Sequence, residues 1–319
     1  RMESYKDPSE ALQADDADAI RKAIWEAKSW RPDGIVEGKT LYKEIITPTP
    51  PSDYDYPFRG LQDKLHGIRH QELITVTSGS GQGKSSFCRQ IAADLLSKGE
   101  RVGYLALEES NRRTALGLMS CDVEKALHMG NHDQEELEAA FNRSIANWNL
   151  YLFDGFGSFD PDLIYNRIEY LASGLECRIV FLDHLSILLS GLDGNERKMI
   201  DTTMTKLRSL VERTGISLFL VSHLRRSNND RATHEEGGRV SLSQLRGSHS
   251  IAQLSDQVIA LERDQQSEAD RDVTTLRIIK NRYSGETGYA GKIRYNLTTS
   301  KFTEYETTTE PEFNPTTDF

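Results

Sequence analysis

The stretch "VTSGSGQGKSSF", residues 76–87, holds the residue types that can grip a triphosphate. A phosphate-binding loop follows G-x-x-x-x-G-K-[ST]: backbone N–H groups surround the phosphates and the lysine reaches the β- and γ-phosphates. Here Gly83, Lys84 and Ser85 close the pattern, but its first position is Ser78 instead of glycine. The loop Ser78, Gly79, Ser80, Gly81, Gln82, Gly83 sits between the apolar run "LITVT" and the helical pattern "KSSFCRQIAADLL". That strand–loop–helix context is the one required, because the helix N-terminus adds its own N–H groups to the anion. Lys84 is expected on the β/γ-phosphates and the Ser85 hydroxyl in a Mg2+ shell, with Ser86 following in the first helical turn. Ser78 stands where the strand bends, and a small side chain suffices there.

Hydrolysis needs a second carboxylate for the metal and a base for water. Asp183 ends the apolar run "RIVFLD" about a hundred residues after Lys84, where a metal carboxylate is expected. The next residue is His184, so the base is sought elsewhere. Glu108 and Glu109 in "GYLALEES" end another strand, one strand after the phosphate loop. Glu108, nearer the strand, is the preferred base; the alternative is that both acids cap a helix beginning near Ser110. His223 ends "ISLFLVSH", where a polar side chain either senses the γ-phosphate or is hydrogen-bonded into the core.

These residues need a scaffold that brings strand ends together. From residue 71, β-rich runs ("ELITVTS", "VGYLALE", "LYLFD", "RIVFLD", "ISLFLVSH") alternate with helical stretches near 84–98, 135–147, 161–173 and 196–213. Such alternation predicts an α/β core with a mainly parallel sheet and right-handed crossovers. After 255 the spacing tightens to "QVIALER", "TTLRIIKNRY" and "GKIRYNL", with "SGETG" as a turn, which predicts antiparallel C-terminal strands. Toward the N-terminus, "DADAIRKAIWEAKSW" (16–30) has helical periodicity, and "ITPTPPSDYDYP" (46–57) reads as a proline-rich linker. A helix so tethered lies either on its own domain or in a groove of a neighbouring subunit. The expected division is an arm and linker over 1–58, a catalytic domain over 59–300 and an acidic, disordered tail over 301–319.

Composition narrows the classes. The chain has 319 residues, 37% hydrophobic and 28% charged, and a formal net charge of −10. No apolar run is long enough for a membrane span. The N-terminal "RMESYKDPSE" has no signal-peptide core, and the start at Arg1 suggests a cut from a longer polypeptide. Cys88, Cys121 and Cys177 form no C-x-x-C pair, which favours a reducing, cytoplasmic setting over a zinc ribbon or disulfides. The negative total hides segregation. Residues 221–250 hold five arginines against three acids, whereas 302–319 hold five acids and no basic residue. A local basic loop for nucleic acid is therefore compatible with an acidic chain.

The motifs "SGSGQGKS", "ALEES", "IVFLDHLSI", "ERKMIDTTMTKLRSL", "SHL", "HEEG", "QLRGS", "QLSDQVIALER" and "KNRYSGETGYAG" occur in order. Together they resemble the helicase half of bifunctional phage primase–helicases, with the mitochondrial Twinkle helicase and DnaB-type replicative helicases as more distant relatives. The resemblance runs over residues 15–300, and the phage family also tolerates serine at the position of Ser78. It implies a RecA-like P-loop core assembled into a ring of six or seven copies. Such a ring is expected to hydrolyse ATP or a dNTP, dTTP included, with Mg2+ to move along single-stranded DNA, 5′ to 3′ in those relatives.

Residue by residue, the resemblance makes His223 the γ-phosphate sensor and Gln253 a second polar sensor. It makes Arg282 an arginine finger supplied to the neighbouring subunit's nucleotide, with Lys280 close by. Arg263 and Tyr295 match the pair that sandwiches the base. Arg225, Arg226 and Arg231 match a channel loop that holds DNA phosphates, and Arg246 and Gly247 a further channel loop. That basic loop departs from the phage pattern, with arginines in different places and one extra residue before His234. The helix at 16–30 resembles the arm that docks on an adjacent subunit. The acidic tail resembles the segment that engages a replicative polymerase; the alternative is a solubilising tail. The setting implied is the cytoplasm of a phage-infected cell.

Two other readings share the motif. A RecA-like recombination filament has nearly the same sheet and site, but the arm, linker and Arg282 segment favour a ring. A small-molecule kinase needs no base such as Glu108 and no basic loop. Primase chemistry finds no support in this chain, since three scattered cysteines supply no zinc module.

Overall fold

The computed structural model describes residues 5, 7–25, 36–48, 52–155, 160–189, 196–224, 236–245 and 249–305. The chain divides into two compact units, Arg1–Pro50 and Pro51–Phe319.

In the first unit, α1 (Pro8–Gln13) starts at Asp7, whose carboxylate accepts the Glu10 N–H at 3.0 Å. Pro8 follows at the first helical position, where a missing N–H loses nothing. Asp16 caps α2 (Ala17–Trp25) in the same way, accepting the Ala19 N–H. Helix α3 (Tyr42–Ile46) presents Tyr42, Ile45 and Ile46 exposed. The helix expected over 16–30 corresponds to α2 in its first part, and 26–30 lie outside the described residues.

The second unit begins inside the expected linker. Tyr56 and Phe58 are buried, and the Tyr56 hydroxyl donates to Gln257 Oε1 at 2.6 Å, so the boundary falls at Pro50–Pro51 instead of residue 58. Then come α4 (Arg59–Leu65), β1 (Leu73–Ser78), α5 (Lys84–Ser97), β2 (Arg101–Ala106), α6 (Asn111–Val123), α7 (Gln134–Arg143) and β3 (Asn149–Leu152). They are followed by α8 (Pro161–Ser173), β4 (Ile179–Asp183), α9 (Leu185–Leu189), α10 (Glu196–Thr214), β5 (Ser217–His223) and α11 (His249–Leu254). The chain finishes with β6 (Gln257–Glu262), β7 (Val273–Asn281), β8 (Gly288–Asn296) and β9 (Lys301–Tyr305).

The strands form one sheet in the order β3-β2-β4-β5-β1-β6-β7-β8-β9. Pairing is parallel from β3 through β6 and antiparallel from β6 to β9, as the sequence spacing predicts. Both faces are covered, which is why the central strands read as unbroken apolar runs. Successive residues point to opposite faces. Ile74, Val76, Phe181, Phe219 and Val221 meet Phe87 and Ile91 of α5 and Leu61 and Leu65 of α4. Leu73, Val180, Leu182, Leu218 and Leu220 meet Ile164 and Ile168 of α8 and Met204 and Leu207 of α10. An aromatic ladder runs across the first face, with Phe181 stacked on Tyr104 at 5.2 Å and on Phe219 at 4.6 Å. Each such buried side chain contributes roughly 1.5–3 kcal/mol.

Parallel pairing places the strand ends that matter on one edge. Ser78 lies beside His223 and Leu261, and Ala106 beside Asp183.

The C-terminal boundary needs a correction. Lys301–Tyr305 is not tail but β9, paired with β8, and Phe302 is buried. Gln90 of α5 fixes it by donating to the Phe302 carbonyl at 2.8 Å and accepting the Phe302 N–H at 2.7 Å. Residues 306–319 lie outside the described residues.

Candidate active site

The loop after β1 is built around its own side chains. Gly81 and Gly83 have φ of +70° and +92°, the left-handed region that glycine enters without a steric penalty. Gln82 is buried; its Oε1 accepts the Gly79 N–H at 3.1 Å and its Nε2 donates to the Arg263 carbonyl at 3.1 Å. Gln265 donates to the Ser80 carbonyl at 3.2 Å. Lys84 is buried at the start of α5, and its Nζ donates to the Gly79 carbonyl (2.8 Å), the Ser78 carbonyl (3.3 Å) and Ser78 Oγ (3.1 Å). The irregular serine therefore holds the lysine, while its own hydroxyl donates to the Gly79 carbonyl at 2.8 Å. Burial pushes the Lys84 ammonium down to about 8, against the upward pull of Asp183 and Glu108.

Asp183 closes β4 and is buried, which raises its carboxyl to about 6; the Ser85 hydroxyl and Arg89 act against that rise. Its Oδ1 is buried with no hydrogen-bond partner among the described residues. A buried carboxylate oxygen without a partner, next to a serine hydroxyl in an open cleft of about 530 Å³, is the donor set a hard divalent cation takes.

Glu108 and Glu109 part company in this cleft. Glu109 Oε1 accepts from Arg89 Nη1 (2.7 Å) and Thr114 Oγ1 (2.8 Å), and Arg113 Nε stands 3.4 Å from Oε2. That carboxylate joins α5 to α6. Glu108 lines the cleft with Ser85 and Asp183, and its side chain is half exposed. Partial burial raises its carboxyl, with Lys84 opposing. Glu108 Oε1 lies 2.5 Å from Nε2 of His184, a buried ring to which the sequence reading gives no role. The His184 ring meets His223 edge-on, centroids 4.3 Å apart at 90°.

Arg263, just past β6, and Tyr295, near the end of β8, are also on the phosphate-loop side. Tyr295 packs on Phe302 at 4.9 Å, and a Cβ on Gly83 would come within 3.4 Å of the Phe302 ring. Phe302, missed because it lies past the expected domain end, is the floor between Tyr295 and the loop.

Arg282, Lys280 and Gln253 form a separate group. The Arg282 guanidinium pairs with Asp256 Oδ1 at 2.9 Å and donates to the Gln253 carbonyl at 3.0 Å. Lys280 Nζ donates to the carbonyls of Ala252 (2.6 Å) and Gln253 (2.9 Å). Asp256 accepts the Leu73 N–H at 2.8 Å, so this group sits at the start of β1, whereas the phosphate loop follows its end. A six-residue strand spans roughly 17–20 Å. Gln253 and Lys280 thus stay with Arg282 at this end of the strand, apart from their own phosphate loop. Arg225, Arg226, Arg231, Arg246 and Gly247 lie outside the described residues.

The DnaB-like helicase C terminal domain matches residues 55–304. The DNA helicase/primase of Enterobacteria phage T3 is 36% identical over 306 residues, 92% of this chain and 54% of that protein. A probable plasmid replicative DNA helicase of Chlamydia muridarum is 28% identical over 243 residues, 74% of this chain and 51% of that protein. The chain thus spans about half the length of the curated relatives it matches. Among solved structures, an ATPase domain superposes with a TM-score of 0.67 at 20% identity, covering 86% of this chain and all of that one. A DnaB-like replicative helicase, solved for its interactions with primase, superposes with a TM-score of 0.69 at 19% identity over 93% of this chain and 74% of that one. These likenesses establish the RecA-like α/β fold. With a family match covering most of the sequence and a phage relative above a third identical, the chain belongs to the DnaB-like helicase C-terminal domain family.

Proposed function

We propose that this chain is the motor of a ring-forming replicative DNA helicase that couples triphosphate hydrolysis to movement along single-stranded DNA and to duplex separation. The observation that carries the reading is the division of the site. Lys84, Ser85, Glu108, Asp183 and His223 share one edge of the sheet, while Arg282 stands at the far end of β1, bound to Asp256. A guanidinium so placed serves a nucleotide only on a neighbouring protomer, so a complete site needs two copies. A site shared by two copies is what a closed ring of six or seven subunits would repeat around its circumference, with the arm of residues 1–50 as a docking element.

The chemistry assigned to each side chain follows from its place. Lys84 exchanges its loop carbonyls for phosphate oxygens and spreads their charge. Glu108 takes a proton from water, the resulting hydroxide bonds to the γ-phosphorus, and the bridging P–O bond breaks with its electrons on the diphosphate. His223 faces the terminal phosphate, and Arg282 of the neighbouring protomer meets the charge that develops on it. Ser85 and Asp183 would hold Mg2+, which supplies charge neutralisation between the phosphates. Arg263 and Tyr295 flank the base of an ATP or dNTP, dTTP included.

Arg225, Arg226, Arg231, Arg246 and Gly247 belong to the DNA channel in this reading. The acidic C-terminal segment offers a contact for a replicative polymerase, and the setting is the cytoplasm of a phage-infected cell. Among the described residues no helix is long and apolar enough to cross a membrane. The deciding experiment is unwinding of a forked duplex with each common triphosphate, beside negative-stain images. Strand separation by closed rings supports the reading. DNA-dependent filaments without unwinding point to a recombination-type ATPase, and phosphate transfer to an acceptor other than water points to a kinase.

A further inference from the structure

We propose that His184 is the positioning residue for Glu108 and carries the state of His223 to it. The inference rests on the reading of Glu108 as the base that activates water. Glu108 and His184 follow β2 and β4, and His223 ends the adjacent β5, so the sheet itself lines up the three side chains.

The proton on His184 can be placed. Nδ1 accepts the backbone N–H of Ser186 at 3.2 Å, at the entry to α9. A neutral imidazole carries one proton, and a nitrogen that accepts a hydrogen bond does not hold it. The proton is therefore on Nε2, the nitrogen that lies 2.5 Å from Glu108 Oε1. The pair is in contact short of an aligned hydrogen bond. Glu108 is half exposed and has three rotatable bonds, so a small turn of its carboxylate completes the bond. Oε1 is then held and Oε2 is left for water. His184 donates throughout and passes no proton on; the proton from water stays on Glu108.

The same tautomer decides against another occupant. Glu108, His184 and His223 each bring one ligand atom to within 4.8 Å of the others, a spacing that suits a transition-metal ion. A ligating nitrogen must be free of its proton, and Nε2 keeps its proton as long as Ser186 occupies Nδ1. The cluster is therefore a donor–carboxylate pair backed by a second ring, not a metal site. His223 completes it by packing edge-on against the buried His184 ring at 4.3 Å, so a shift of His223 toward a γ-phosphate changes the support under His184. The base is thereby held for water when the terminal phosphate is present.

The test uses the full chain on single-stranded DNA, comparing His184→Ala, His184→Gln and Glu108→Gln. Expected for His184→Ala is a fall in kcat of about tenfold or more, short of the roughly 10²–10⁴-fold that loss of the base costs, with fluorescent-nucleotide affinity unchanged. His184→Gln, which restores a neutral N–H donor, recovers part of that loss and serves where the alanine variant does not fold. Combined with Glu108→Gln, either His184 change has no further effect. Wild-type kcat in His184→Ala beside an inactive Glu108→Gln overturns the positioning role alone. Wild-type turnover in Glu108→Gln instead removes the base reading, and this inference with it. A His184→Ala variant that loses nucleotide binding with turnover, or stoichiometric Zn2+ binding that this change abolishes, also overturns the proposal.

Discussion

Arg282 is held at 2.9 Å by Oδ1 of Asp256, whose Oδ2 accepts the first amide of β1 at 2.8 Å. The proposed finger is thus tied to the strand that ends in the phosphate loop of the same protomer. Arg282→Ala is expected to leave nucleotide binding and ring assembly unchanged and to lower DNA-stimulated hydrolysis by roughly 10³–10⁵-fold. If Arg282 acts on a neighbour as proposed, rings mixed from Arg282→Ala and Lys84→Ala subunits are expected to regain part of the activity that each lacks alone. A phosphate-release assay on mixed rings checks this, and no gain over the separate variants would refute the division.

Lys84 titrates at about 8 in the free protein because burial disfavours its charge. Phosphates favour the ammonium, so nucleotide binding above pH 8 takes up a proton, and affinity weakens as pH rises further. Calorimetry in two buffers of different ionisation enthalpy measures that uptake. For folding, the depressed pKa means a penalty that is fully present below pH 8. It is relieved as pH rises from 8 toward the ordinary lysine value of 10.5.

Asp183 is raised to about 6 from 3.8, so the folded chain holds its proton more tightly than the unfolded chain between those values. Its contribution to stability is greatest at low pH and is lost as pH rises through 6. Asp183→Asn removes a buried charge, so it is expected to raise the melting temperature at pH 7.5 while abolishing Mg2+-dependent hydrolysis. In the native chain, apparent Mg2+ affinity falls as pH drops below 6. Thermal melts and Mg2+ titrations at several pH values test both statements.

Phe302 fills the space between Tyr295, Phe87 and Gly83. Phe302→Ala is expected to destabilise the fold by about 3–5 kcal/mol and to weaken nucleotide binding, because the floor of the loop goes with it. Denaturant unfolding and a nucleotide titration below the melting range separate the two effects.

Arg225, Arg226 and Arg231 are expected to meet DNA phosphates without reading bases. Their replacement by alanine lowers affinity for all sequences alike and makes log Kd less steep against log salt, by about one unit of slope per lost contact. Loss confined to one DNA sequence would contradict the assignment.

The phosphate loop and the parallel core were legible because each has a strong local signature. Apolar runs are long on a sheet covered on both faces, and the loop needs glycine at fixed places. Helix α6 entered only through its cap at Ser110, since Gly117 and Ser120 interrupt its apolar face and leave its periodicity weak. Strand β9 was hidden by its setting, five residues at the head of an acidic stretch with only Phe302 pointing inward. The choice between Glu108 and Glu109 depends on Arg89 and Thr114, which approach Glu109 from two different helices and leave no mark in local sequence. His184 was equally opaque, since its meaning comes from Glu108 and His223 on the strands either side.

Gln82 and Lys84 already brace the phosphate loop, Gln82 on the Gly79 N–H and the Arg263 carbonyl and Lys84 on the Gly79 carbonyl. A nucleotide arriving there meets a braced loop and exchanges the Lys84 contacts with Ser78 and Gly79 for its own phosphate oxygens. Capture therefore requires no refolding of the chain. If Arg282 serves a neighbouring nucleotide as proposed, its release from Asp256 is the one rearrangement that site still requires.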